Sequence, residues 1–345
     1  MENLNHPYPK QIFVFGNDTK LGDEISNLLK LKKAELTVRE FKDGEKIPHQ
    51  AETVRGRDVF IVFTSQNGEM ADSWLFNYLR FVRAVKCGQP HKITVIIPKL
   101  PHQRQDVEDR KLRQPKMSNF FPEMLKSAGA DHLVVCKLHN PASQTTDPPM
   151  ENIDTTFLII NYIREKFEDL SLIAIATGDM GGAKYASEIA NELNVPIILT
   201  DKERDKNNGE SKAMQVFARG KISSRINTII FVDDLISTFG TLKNAAHAVQ
   251  EIYPDIVNFE SCVTHADFSE DASKNISESI FRSVCVMDTV PVEDFHLDII
   301  HKSGKKLHII STAKVIAQAI DNLHNGDSIS SLWLNGKQKS LALAH

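Results

Sequence analysis

Short apolar runs alternate with amphipathic segments along the whole chain. Gln11–Phe15, Asp58–Thr64, Ile93–Pro98 and His132–Cys136 are apolar or β-branched stretches of strand length, and Leu21–Leu31, Ser73–Val85 and Asn119–Ala128 between them carry a helical period. The second half repeats the scheme. Strands are expected at Leu172–Thr177, Pro196–Thr200, Thr228–Val232 and Asn258–Thr264, with helices at Thr155–Phe167, Ala183–Leu193, Leu242–Ile252 and Ser277–Arg282. Such alternation predicts an α/β fold of mostly parallel sheets flanked by helices. His139–Ile153, with Pro141, Pro148 and Pro149 among Ser, Thr and Asp, marks a boundary. Two α/β domains follow, 1–153 and 154–335, then a tail over 336–345. Within the second, 311–324 reads as a hydroxyl-capped helix placed to pack back on the first domain.

The densest information lies in Thr228-Ile-Ile-Phe-Val-Asp-Asp-Leu-Ile-Ser-Thr-Phe-Gly-Thr241. An apolar, β-branched run stops at two carboxylates and passes into a Ser/Thr/Gly turn that opens a helix. Asp233 and Asp234 would face paired hydroxyls. The hydroxyls of Ser237, Thr238 and Thr241, with amides around Gly240, would face a phosphate at the helix N-terminus. An acidic helix cap is the plainer reading of a strand that ends in two acids.

Charge and cysteine content narrow the partners. The 345 residues include 41 Lys+Arg against 45 Asp+Glu, with no basic block, so no nucleic-acid stripe is expected and anionic ligands must be met by local cations. No apolar run reaches the roughly 20 residues of a membrane span, and Met1–Lys10 lacks an apolar signal core, which argues for a soluble, cytoplasmic protein. Cys87, Cys136, Cys262 and Cys285 form no CxxC pair and read as buried small side chains.

Other candidates sit at strand ends. Asp179, in Thr177-Gly-Asp-Met-Gly-Gly182, follows a strand where a carboxylate suits Mg²⁺ or a ribose hydroxyl. The same stretch mimics a nucleotide-binding P-loop but places Ala183 and Tyr185 where Gly and a hydroxyl belong. Lys202 and Arg204 open a polar segment, Asp201–Lys212, that reads as a loop. His139 and His265 each follow or end a strand, and a lone histidine there is as readily structural as a ligand.

Val232-Asp-Asp-Leu-Ile-Ser-Thr-Phe-Gly-Thr241 resembles the phosphoribosyl pyrophosphate motif shared by type I phosphoribosyltransferases and ribose-phosphate pyrophosphokinases. Phe41-Lys-Asp-Gly-Glu45, Glu52–Phe60, Arg104-Gln-Asp106, Leu138-His-Asn140, Asp179 with Gly181, Asp201-Lys-Glu-Arg204, Thr264-His265 and His324–Leu332 resemble segments of the pyrophosphokinase family, in its order. The resemblance runs from about residue 10 to about residue 335. It implies two tandem phosphoribosyltransferase-type domains, the first without a phosphate cradle, and transfer of the pyrophosphoryl group of ATP to O1 of ribose 5-phosphate. It assigns Lys202 and Arg204 to the transferring group, and Asp233, Asp234, Ser237, Thr238, Phe239, Gly240 and Thr241 to ribose 5-phosphate. ATP falls to Phe41, Asp43, Glu45, Arg104, Gln105, Asp106 and His139, and Mg²⁺ to His139 and Asp179. In the family the Phe41–Glu45 hairpin serves a neighbouring subunit, which implies a homo-oligomer with a shared site, although Phe41 could equally be core.

Departures from the pattern support a rival, a non-catalytic regulatory relative that associates with catalytic subunits. Ser237 replaces a frequent Asp, Pro101-His-Gln103 replaces Gly-Tyr-Ala, Val107-Glu108 replaces a basic pair, and Lys137 replaces an acid. Phe239 stands where a small residue is usual, so its ring must point away from the cradle or block it. A second rival, a transferase that consumes phosphoribosyl pyrophosphate, is opposed by the length and by the first-half segments.

Overall fold

The computed structural model describes residues 7–16, 19–64, 71–204, 211–330 and 332, with the side chains at 71–74, 202–204 and 211–213 outside that description. The tail expected at 336–345 also lies outside it. The chain divides into two compact units, 1–154 together with 311–345, and 155–310.

The first unit is built from β1 (Lys10–Phe15), α1 (Lys20–Leu29), β2 (Leu36–Glu40), β3 (Lys46–Gln50), β4 (Asp58–Phe63), α2 (Ala71–Cys87), β5 (Lys92–Ile97), α3 (Phe120–Ala128), β6 (His132–Cys136) and β7 (Met150–Ile153). Its main sheet has the order β1-β4-β5-β6-β7 and every pairing in it is parallel. Phe13, Ile61, Phe63, Val95 and Leu133 bury one face against Tyr78, Phe81 and Val85 of α2 and Phe121 and Leu125 of α3. Because both faces are covered, β4 is buried at all six positions instead of alternating. β2 and β3 form a separate antiparallel hairpin.

The second unit contains α4 (Thr156–Lys166), β8 (Ile173–Ala176), α5 (Ala183–Leu193), β9 (Ile197–Arg204), β10 (Ser211–Arg219), β11 (Thr228–Ile236), α6 (Gly240–Ile252), β12 (Asn258–Ala266), α7 (Asp271–Glu278), β13 (Phe281–Met287), α8 (Asp294–Lys302) and β14 (Lys306–Ile310). Its sheet has the order β10-β9-β8-β11-β12-β13-β14, parallel except between β9 and β10. Along β11 the side chains alternate between two cores. Ile229 and Phe231 join Leu242, Ala246 and Val249 of α6, whereas Ile230 and Val232 join Ile159 and Ile163 of α4 and Ile189 of α5.

From β8 the chain first builds outward to β9 and then returns to the other side of β8 as β11. That reversal opens a crevice at the carboxyl ends of β8 and β11, the place where ligands bind in open α/β sheets. The sheet of the first unit advances in one direction from β1 to β7 and has no such reversal.

The final helix, α9 (Ala313–Asn325), belongs to the first unit and packs beside α1. Asp58 of β4 anchors its end, accepting from Nδ1–H of His324 at 3.0 Å and from Nδ1–H of His91 at 2.7 Å.

Cys136, Cys262 and Cys285 are buried as expected, but Cys87, at the end of α2, is exposed. Two expected elements also need correction. The helix expected at Ser277–Arg282 is instead the end of α7 followed by the start of β13. Ser279 ends the helix by donating its hydroxyl to the Ile276 carbonyl and accepting the Phe281 N–H, and the apolar run after it is buried as a strand. The loop expected at Asp201–Lys212 contains the end of β9 and the start of β10. Lys202 pairs with Met214 and Arg204 with Ser211, so the backbone groups are satisfied across an antiparallel ribbon and polar side chains need not mark a loop. No described helix is long and apolar enough to cross a membrane.

Candidate active site

The crevice of the second unit is closed by two turns. Thr177, buried at the end of β8, donates its hydroxyl to the Asp179 carbonyl, and Thr200 of β9 donates to the Thr177 carbonyl. The Asp179 carboxylate accepts from the Gly181 N–H at 2.9 Å and pins the turn to itself. Glycine is required here by close approach. A Cβ at Gly182 would lie 2.4 Å from Thr177 Oγ1 and 3.9 Å from Asp233 Oδ1, and one at Gly178 would lie 2.7 Å from Leu242 Cδ2 and 3.2 Å from Thr241 Cγ2. The structure therefore brings the Asp179 turn against both Asp233 and the start of α6.

Asp233 and Asp234 lie near the carboxyl end of β11, beyond its last pairing with β8 at Phe231 but within its pairing with β12, which continues to Ile236, and the Asp234 N–H donates to Asp233 Oδ1 at 2.9 Å. Burial, the adjacent Asp234 carboxylate and then the more distant Asp179 charge hold the Asp233 carboxyl well above the usual carboxylate range. Ionising it works against the fold. Its contribution to stability is largest below the ordinary carboxylate pKa and declines as pH rises toward the raised native value. A cation or a set of sugar hydroxyls would relieve that penalty.

The Ser237–Thr241 turn is held from outside by residues that no local sequence signal marks. The Ser269 N–H donates to the Ser237 carbonyl at 3.1 Å and Asn275 Nδ2 donates to the Thr238 carbonyl at 2.9 Å, while the Phe239 carbonyl accepts the first bond of α6, from the Lys243 N–H at 3.0 Å. With these carbonyls engaged, the turn enters α6 at its N-terminus, where the first amides have no intrahelical acceptor. Gly240 N–H donates to Thr238 Oγ1 at 3.3 Å.

Phe239 points away from the crevice. Its φ of 64° is left-handed, which sends the ring into the core beside Phe281 at a centroid separation of 5.1 Å, leaving it 2% exposed. The left-handed backbone costs about 1 kcal/mol in a non-glycine residue, and burying a phenyl ring offsets it by about 2 kcal/mol. Phe239→Ala is expected to destabilise the protein by about 3 kcal/mol through the cavity left behind, read as a lower midpoint in urea.

His265 is fully buried and serves packing. Thr289 donates its hydroxyl to the Thr264 carbonyl at 2.9 Å, so it accepts from His265 Nδ1–H, also at 2.9 Å, and fixes the tautomer. Lys202 and Arg204 lie on β9 just beyond Thr200, but their side chains are outside the described residues.

In the first unit the Phe41–Glu45 segment is the tip of the β2–β3 hairpin. The Phe41 N–H donates to the Glu45 carbonyl at 2.8 Å and the Glu45 N–H to Asp43 Oδ1 at 3.1 Å. Phe41 is not core: it is 41% exposed, with the Arg39 guanidinium 4.8 Å over its ring. Arg104 and Gln105 are exposed on a turn after β5, and Asp106 accepts from Asn140 Nδ2 at 2.8 Å. His139 is exposed, and its N–H donates to Gln103 Oε1 at 3.0 Å. Lys137 pairs with Asp154 at 3.2 Å. Among the described residues no three His, Cys, Asp or Glu side chains converge as a metal cluster. Asp179 and Asp233, brought together at the crevice, are oxygen donors of the kind Mg²⁺ takes alongside substrate phosphates.

Two α/β units with mostly parallel sheets, the second with paired acids near the carboxyl end of a central strand and a hydroxyl-rich turn at its switch point, define a protein of tandem phosphoribosyltransferase-type domains. Residues 10–129 match the N-terminal domain of ribose phosphate pyrophosphokinase, and residues 186–334 match the phosphoribosyl synthetase-associated domain. A ribose-phosphate pyrophosphokinase of Fusobacterium nucleatum is 32% identical over 329 residues, covering 94% of this chain and 98% of that protein. A crystal structure of phosphoribosylpyrophosphate synthetase from Mycobacterium smegmatis superposes with a TM-score of 0.80 at 26% identity, covering 92% of this chain and 99% of that one. This chain belongs to the ribose-phosphate pyrophosphokinase family.

Proposed function

We infer that this chain is an enzyme that transfers the pyrophosphoryl group of ATP to O1 of ribose 5-phosphate, giving 5-phosphoribosyl 1-pyrophosphate and AMP. The observation that carries the reading is the meeting of Asp179, Asp233 and the Ser237–Thr241 turn in one crevice at the carboxyl ends of β8 and β11. Asp233 and Asp234 hold the 2- and 3-hydroxyls of the pentose. The Ser237–Thr241 turn, including the backbone of Phe239 and Gly240, grips the 5-phosphate with amides and hydroxyls at the helix N-terminus. The O1 hydroxyl attacks the β-phosphorus of ATP, the bond to the bridging oxygen of the α-phosphate breaks, AMP departs and the O1 proton is released. Positioning and charge neutralisation supply most of the acceleration in such a displacement.

Lys202 and Arg204 neutralise charge on the transferring group. Arg104, Gln105, Asp106 and His139 hold the nucleotide, joined by Phe41, Asp43 and Glu45 from a second copy of the chain, so the active form is a homo-oligomer. His139 and Asp179 would hold Mg²⁺, which neutralises phosphate charge when bound. A cytoplasmic location, where both substrates would be at hand, is part of the same reading.

The burial of the Phe239 ring removes one of the two arguments for a regulatory, non-catalytic relative, the other being the altered nucleotide loop at Pro101-His-Gln103 and Val107-Glu108. The test is AMP formation from ATP by the purified chain with Mg²⁺. AMP that depends on ribose 5-phosphate supports the reading, and none, or AMP independent of the sugar, contradicts it.

Ligand binding should also move a proton. Asp233 is held high in the free protein by burial and like charge, and occupancy lowers its pKa, so protons leave when pH lies between the two values. Affinity for ribose 5-phosphate with Mg²⁺ should rise with pH across that window. Calorimetry in two buffers of different ionisation enthalpy should give different observed heats, and equal heats would refute the coupling.

A further inference from the structure

We propose that Gln103 is a positioning residue of the nucleotide site, holding the His139 segment against the Arg104–Asp106 turn through one buried acceptor. The proposal rests on the nucleotide-binding role inferred above for those segments. Gln103 is 2% exposed, and its Oε1 accepts the His139 N–H at 3.0 Å. Its Nε2 is buried with no hydrogen-bond partner among the described residues. A buried amide with one end unsatisfied is costly, and an apolar side chain would avoid that cost. What the glutamine supplies here is the acceptor.

The two segments leave neighbouring strands, one after β5 and the other after β6. Two further links join them: Asn140 Nδ2 donates to Asp106 Oδ2 at 2.8 Å, and the buried hydroxyls of Ser118 and Ser143 lie 3.2 Å apart. Gln103 reaches His139 itself. Being buried, it acts on a nucleotide through His139 and through the exposed Arg104 that follows it, without touching the ligand.

The test uses the full chain, with calorimetric affinity for Mg²⁺ and a non-hydrolysable ATP analogue beside KM and kcat for AMP formation. Gln103→Met, similar in volume but without the acceptor, should weaken analogue binding and raise the KM for ATP by about fivefold, the scale of one hydrogen bond. The KM for ribose 5-phosphate and kcat should stay within about twofold. Gln103→Glu retains the acceptor oxygen and should restore nucleotide affinity. In a His139→Ala background, which keeps the backbone N–H but lacks the imidazole, Gln103→Met should cost less than it does in the wild type, the remainder acting through Arg104. Should Gln103→Met fail to fold, Gln103→Ala makes the same comparison.

Wild-type affinity in Gln103→Met, an equal loss for both substrates, or simple additivity with His139→Ala would each overturn the proposal. So would a wild-type chain that does not bind the analogue. Analogue binding without AMP formation would remove the proposed reaction and leave the role of Gln103 intact.

Discussion

Lys202→Ala is expected to lower kcat about 10³-fold with little change in the KM of either substrate. Charge spreads over the oxygens of the transferring group only as the bond to the α-phosphate breaks, so a cation placed there acts on the transition state more than on the bound substrates. Lys202 lies on β9 two residues beyond Thr200, whose hydroxyl anchors the turn that carries Asp179. β9 is thus fixed at Thr200 in the crevice and held along its length by pairing with β10. Steady-state kinetics of the variant check this. A loss confined to KM would assign Lys202 to ground-state binding, and unchanged kinetics would remove it from the site.

Asp233→Asn should show the opposite balance between activity and stability. The carboxylate is held in an unfavourable environment by burial and by Asp234, and asparagine removes the charge at the same volume. kcat/KM for ribose 5-phosphate should fall about 10²-fold, from the loss of one or two charge-assisted hydrogen bonds to the sugar. Thermal stability near neutral pH should rise, because the penalty for a desolvated charge is gone. Activity and melting temperature measured on one preparation test both statements. A variant that loses activity and melts lower would show that Asp233 serves the fold and not the ligand.

The strand expected at Thr228–Val232, the paired acids and the helix after them were legible in the sequence because each leaves a local signature: an apolar run, an abrupt change to charge, then a hydroxyl and glycine turn; that the strand runs on through the acids to Ile236 was not. The direction of the Phe239 ring was not legible. It depends on a φ of 64°, which tertiary packing sets and composition does not reveal. Ser269 and Asn275, which hold the carbonyls of the Ser237–Thr241 turn, come from the segment after β12 and from α7, and nothing in their neighbourhood distinguishes them from surface polar residues.

Polarity misled at Asp201–Arg204, since an antiparallel ribbon satisfies its backbone whatever its side chains are. Gln103 could be read only as a departure from Gly-Tyr-Ala, because its partner is the His139 backbone, 36 residues away in sequence. The switch point between β8 and β11 became visible only with strand order, which periodicity does not encode.

The most direct measurement is the phosphorus NMR spectrum of the purified chain incubated with ATP, Mg²⁺ and ribose 5-phosphate. A new pair of coupled diphosphate resonances on C1 of the pentose, with AMP in equal amount, is the predicted result. ADP with a monophosphorylated new product, or substrates left unchanged until another subunit is added, would contradict it.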